Sequence, residues 1–111
     1  MGTPRYMAPE QVSGAPVGAP ADVYALGLTL AEMVSGRPVF GGEDAVTTLM
    51  EQMSDAPVPL AEAVAGSRLA GVIRRATAKR PADRFSSAAE MLAAGESLAL
   101  TGANGARTRP T

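Results

Sequence analysis

Two of the commonest catalytic side chains are missing from this chain, which has no histidine and no cysteine. That removes an imidazole base, a thiolate nucleophile, metal sites built on His or Cys, and any disulfide. Lys79 is the single lysine, against nine arginines. The groups left for chemistry are hydroxyls, carboxylates and guanidinium groups. The carboxylates are scattered and mostly stand where helix caps are expected, so no all-carboxylate metal site is expected. Gly14 and Gly18 are too sparse for a loop that cradles phosphate, and no strand precedes them. Four residues merit attention. By type alone, Thr3 is a Thr-Pro turn residue and Glu10 and Arg84 are solvated charges. Asp22 by the same reading is a helix N-cap, worth about 1 kcal/mol. Arg74, Arg75, Lys79 and Arg80 cluster, and a charge run of this kind reads as a solvated helix face.

A small body must hold these residues. The 111 residues allow one small domain, and 46% of them are hydrophobic, a globular composition. The net charge is -1, and no basic stripe argues for nucleic acid. No segment reaches the roughly 18 apolar residues of a membrane span. No apolar run follows Met1–Arg5, so no signal peptide is expected and the chain reads as cytoplasmic. Low lysine with abundant alanine, glycine and arginine points to a high-GC bacterial source.

Periodicity predicts an all-α fold. Residues 1–20 read as loop, with one helical turn over 8–12 that tolerates Pro9 at its start. Asp22 opens a helix over 22–35, apolar on nearly every face and stopped by Gly36 and Pro38. A helix apolar all round belongs at the centre of a core. Glu43 or Asp44 caps a second helix over 44–53. There Val46, Leu49, Met50 and Met53 fall at i, i+3, i+4 and i+7, a stripe that predicts core packing first and a docking face second. Residues 54–67 read as loop with one turn near 60–64. Leu69, Val72, Ile73 and Ala76 predict a third helix over 68–78, ended by Pro81. Ser87 and Glu90 form a capping box for a fourth helix over 87–98. Residues 101–111 read as a disordered tail. No alternation persists long enough to predict a sheet.

Four stretches stand out in order: Gly2–Glu10 (G-T-P-R-Y-M-A-P-E), Ala21–Gly27 (A-D-V-Y-A-L-G), Gly36–Phe40 (G-R-P-V-F) and Pro81–Phe85 (P-A-D-R-F). Together they resemble the C-terminal lobe of bacterial eukaryotic-like (Hanks-type) serine/threonine protein kinases. Gly2-Thr3-Pro4-Arg5-Tyr6-Met7-Ala8-Pro9-Glu10 resembles the end of the activation segment, with its A-P-E. Ala21-Asp22-Val23-Tyr24-Ala25-Leu26-Gly27 is similar to the start of the central helix. Gly36-Arg37-Pro38-Val39-Phe40 is similar to the turn after that helix. Pro81-Ala82-Asp83-Arg84-Phe85 is similar to P-x-x-R-F. The resemblance covers residues 2 to about 98 and divides the chain into an activation-segment remnant (1–20), a helical lobe (21–100) and a tail (101–111). Arg80 and Thr77 depart from the usual Asp/Asn and Leu.

The resemblance implies roles. Thr3 would help to present a substrate hydroxyl, Glu10 and Arg84 would pair as a buried salt bridge, and Asp22 would brace a catalytic loop. The parent activity is ATP-dependent phosphorylation of Ser or Thr hydroxyls with Mg. Yet no G-x-G-x-x-G, no strand lysine, no H-R-D and no D-F-G occur, so the chain by itself is expected to hold no catalytic or cofactor-binding residue and to be inactive. It reads as a truncated kinase piece. Its expected partners are a protein substrate, the missing kinase segment or a second copy. The alternative is a non-catalytic binding module that docks a protein through the 44–53 helix.

Overall fold

The computed structural model describes residues 4–42 and 44–108, with side chains through Leu98. Six α-helices and two 3-10 turns make up the fold, with no strand among the described residues. In chain order the helices are α1 (Pro9–Ser13), α2 (Ala19–Ser35), α3 (Ala45–Met53), α4 (Glu62–Ala65), α5 (Ala70–Ala76) and α6 (Ala88–Thr108). The 3-10 turns are Pro4–Tyr6 and Pro81–Asp83.

The central helix α2 organises the rest, as its apolar circumference predicts. Tyr24 and Leu28 face Ala8, Phe40 and Val58 on one side. Val23 faces Val72, Ala76, Phe85 and Met91 on another. Ala31 meets Val64 and Ile73 on a third. Where α2 crosses α5 the backbones come very close. A methyl group on Gly27 would stand 2.7 Å from Ala76 Cβ and 2.8 Å from Thr77 Cγ2. At its C-terminus Gly36 adopts the left-handed conformation (φ 82°) and returns its N–H to the Glu32 carbonyl, closing the helix as the sequence indicates.

Several boundaries differ from expectation. α2 starts at Ala19, three residues early, because Pro20 fits the first turn and Gly18 takes the N-cap position. Asp22 is therefore not the N-cap; it lies exposed in the first turn. α3 is capped by Asp44, whose carboxylate accepts from Thr47 N–H at 2.7 Å; Glu43, the other candidate, lies outside the described residues. α5 is shorter than 68–78, since Leu69 and Thr77 act as its caps. Ahead of α6, Ser87 Oγ accepts from Glu90 N–H at 3.1 Å. The Glu90 carboxylate reaches one residue further back than a capping box requires, to Ser86 N–H at 2.6 Å and Ser86 Oγ at 3.0 Å. α6 continues to Thr108, through most of the stretch read as a tail. Gly102 and Gly105 each cost a helix only about 1 kcal/mol, and no proline intervenes before Pro110.

The largest correction concerns α3. Three of the four residues of its apolar stripe stay out of the core, and only Leu49 is half-buried. Val46 is 67% exposed, Met50 69% and Met53 54%, and the buried residues of the helix are Thr48 and Gln52. Polar residues can take that inward face because Gln52 is hydrogen-bonded there, which removes the cost of burying its amide.

Candidate functional site

The polar centre of the molecule forms where α1, the start of α2, the end of α3 and the 77–84 loop converge. Pro9 at the first position of α1 leaves Glu10 in the first turn, pointing inward. The 3-10 turn Pro81–Asp83 then presents Arg84 from the opposite side. The two meet as a fork on a fork: Arg84 Nη1 lies 2.6 Å from Glu10 Oε2 and Nη2 lies 2.8 Å from Oε1. Their side chains are 0% and 8% exposed. Arg84 also donates from Nε to the Ala78 carbonyl (2.7 Å), from Nη1 to the Pro20 carbonyl (3.0 Å) and from Nη2 to the Lys79 carbonyl (3.1 Å). All five N–H donors of the guanidinium are thus used. Its carbon stands 4.9 Å from the centre of the Tyr24 ring.

Burial pushes the Glu10 carboxyl upward, but the hydrogen bonds from Arg84 and the backbone, with the Arg84 charge, hold it below its ordinary value. Burial pushes the Tyr24 hydroxyl well above its ordinary value, the Arg84 charge pulling it down and Glu10 pushing it up. A neutral Tyr24 therefore donates to Gln52 Oε1, and Gln52 Nε2 in turn donates to the Pro4 carbonyl at 3.1 Å. Nearby, Tyr6 donates to Glu32 Oε1, and that bond, followed by burial, raises the Tyr6 hydroxyl.

Lys79 completes the cluster. Its ammonium donates to the carbonyls of Glu51 (2.8 Å), Gln52 (3.3 Å) and Ser54 (2.8 Å), at the C-terminal end of α3. Burial lowers its ordinary value, countered by the Glu51 and Asp55 carboxylates. The expectation of a solvated cationic face fails for Lys79, since the carbonyls at the end of a helix keep acceptor capacity and the negative end of its dipole, and attract a cation even where, as at Glu51, the Ser54 N–H is already bonded at 3.2 Å. Arg74 and Arg80 are exposed. Arg75 lies over the Phe85 ring at 4.3 Å and 3.7 Å from Glu90.

Glu10 and Arg84 are thus brought together, Asp22 stands apart on the surface, and Thr3 lies outside the described residues. Tyr24 and Gln52 carry no sequence signal for this role, and Lys79 reads in the sequence as one of a solvated set of cations. The one available signal was that a single lysine sits among arginines. The cluster supplies rigid positioning: no buried side-chain nitrogen or oxygen lacks a partner among the described residues. No group of three His, Cys, Asp or Glu among them could hold a metal ion.

A second feature is apolar. Leu26, Thr29, Leu30 and Met33 of α2 line a groove of about 360 Å³ with Val72, Met91 and Leu92. Met33 is 74% exposed and Leu26 42%. No helix among the described residues is long and apolar enough to cross a membrane.

Comparison with known proteins places this arrangement. The protein kinase domain model matches residues 1–94. A probable serine/threonine-protein kinase of Corynebacterium efficiens is 40% identical over 99 residues, covering 84% of this chain and 15% of that protein. The serine/threonine-protein kinase PknB of Mycobacterium tuberculosis is 38% identical over 95 residues, and PknB of Mycolicibacterium smegmatis 39%. The chain spans 15% of the length of each of these relatives.

Proposed function

The chain belongs to the protein kinase family, and from that premise we propose that it serves as the substrate-side helical lobe of a bacterial serine/threonine protein kinase. The whole protein would transfer phosphate from ATP to Ser or Thr hydroxyls of protein substrates in the cytoplasm. The observation that carries this reading is the buried, bidentate Glu10–Arg84 pair. It ties the segment that follows Thr3 to the helices, in keeping with a structural staple under a substrate-presenting loop. Thr3 would help to hold the acceptor hydroxyl. Asp22 supports the same reading. Its carboxylate caps no helix, lies exposed at the start of α2 and is free to brace a catalytic loop supplied by another segment.

Alone, these residues would carry no catalysis. Phosphoryl transfer depends on groups that position Mg-ATP and neutralise its charge. The 111 residues contain neither the glycine loop nor the H-R-D and D-F-G acids. Titration calorimetry with Mg-ATP is the test, with no saturable binding expected. Binding at micromolar concentration, or phosphate transfer to a Ser/Thr peptide, would overturn the claim of inactivity.

A second reading draws support from α3. The outward-facing Val46, Met50 and Met53 suit a non-catalytic module that docks a protein, since methionine adapts to varied surfaces. The coding DNA immediately upstream of Met1 separates the two. H-R-D and D-F-G encoded there favour the kinase lobe; an unrelated gene or a clean promoter favours the module.

A further inference from the structure

We propose that Lys79 is a positioning residue whose ammonium acts as a tethered monovalent cation in a three-carbonyl cage at the C-terminal end of α3. The same link closes a ring of polar contacts around the centre of the molecule. Three observations carry this. First, the three carbonyls of Glu51, Gln52 and Ser54 converge on one point, and the Lys79 nitrogen occupies it. The final carbonyls of a helix carry the negative end of its dipole and keep a free lone pair even where, as at Glu51, the Ser54 N–H is bonded at 3.2 Å, so the cage has the chemistry of a cation site. An ammonium spends all three of its protons there. Second, Arg84, at the end of the same 77–84 loop, holds that loop closed through the carbonyls of Ala78 and Lys79 while its fork engages Glu10. Third, the path from Lys79 returns on itself. It runs through Gln52, whose amide holds the Pro4 carbonyl, along the 4–10 segment to Glu10, and through Arg84 back to Lys79. Segment 4–10, α3 and the 77–84 loop are therefore one unit, and Lys79 is the joint between the last two.

Chemical rescue on the 111-residue chain tests the cage. Lys79→Ala removes the stem and head that propylammonium replaces atom for atom. Lys79→Ala should lower the thermal midpoint by roughly 5–10 °C for a domain of this size. Added propylammonium chloride should restore most of that loss, while tetramethylammonium chloride, with the same charge but no N–H donor, should not. Neither salt should move the unsubstituted chain. Equal rescue by both salts, or no loss in Lys79→Ala, overturns the cage. The ring is tested separately by amide hydrogen exchange in Lys79→Met, which keeps the stem and folds without an empty channel. Exchange should accelerate at 5–12, a segment that Lys79 does not touch, as well as at 52–55. Acceleration at 52–55 alone overturns the ring.

Discussion

Arg84 is bound on every side, and its removal would strand Glu10 as a charge in a site with 8% of its side chain exposed. Breaking a buried pair by deleting one partner costs about 3–5 kcal/mol. Arg75 also has a carboxylate partner, Glu90, but the two side chains are 51% and 45% exposed, and such pairs contribute only about 0–1 kcal/mol. In urea titrations at one protein concentration, Arg84→Ala should lower the midpoint far more than Arg75→Ala. Equal losses would mean that the buried pair contributes no more than a surface pair. Acid should act through the same contact. The folded Glu10 carboxyl titrates below its ordinary 4.5, so the folded state binds the proton more weakly than the unfolded one. Its contribution is complete above that value and is lost as pH falls through the lowered pKa. Stability should therefore hold down to about pH 5 and then decline. Glu10→Gln should flatten that decline only in part, because the Asp44 and Glu90 carboxyls are also held low by hydrogen bonds from Thr47 and Ser86.

Elements are joined here by close backbone approach as much as by apolar area. Gly27 lets α2 lie against α5, and Gly27→Ala would drive a methyl into Ala76 and Thr77. Overpacking of this kind costs about 1–3 kcal/mol, and a midpoint unchanged in Gly27→Ala would show that the crossing yields. Asp44→Ala, which removes the cap of α3, should lower the urea midpoint less than Arg84→Ala does. Much of this scale was legible beforehand. The apolar run after Asp22 announced a buried helix, Gly36 announced its end, and Pro81 and Ser87 framed the last turn and helix. The α3 stripe misled because periodicity reports that a helix has two faces and not which one the core takes. On α3, Gln52 turns inward because Tyr24 and Pro4 offer it partners, and neither is near it in sequence. Lys79 escaped for the same reason: a cation over helix-end carbonyls and a cation in water look alike until the chain folds.

At the scale of the whole molecule, the packing of α2 leaves one strip without cover. Val23, Tyr24, Leu28 and Ala31 are buried, whereas Leu26 and Met33 are exposed, two helical turns apart at i and i+7. With Leu92, which is 65% exposed, they border the apolar groove between α2, α5 and α6. The groove lining is almost wholly apolar, so a partner or a second copy that covers it removes those side chains from water. A chain of this size has little stability in reserve, since even a complete domain holds only about 5–15 kcal/mol. The isolated chain should therefore bind a hydrophobic dye and elute larger than a monomer, increasingly so with concentration. Leu26→Lys and Met33→Lys together should reduce both signals without lowering the urea midpoint, because neither side chain is in the core. Co-expression with the N-terminal part of a kinase domain should reduce them as well if that part covers the strip. A dye-negative chain that stays monomeric at every concentration would show that the groove is not adhesive. It would also shift the balance from a kinase lobe awaiting its other half toward a self-sufficient module that works through α3.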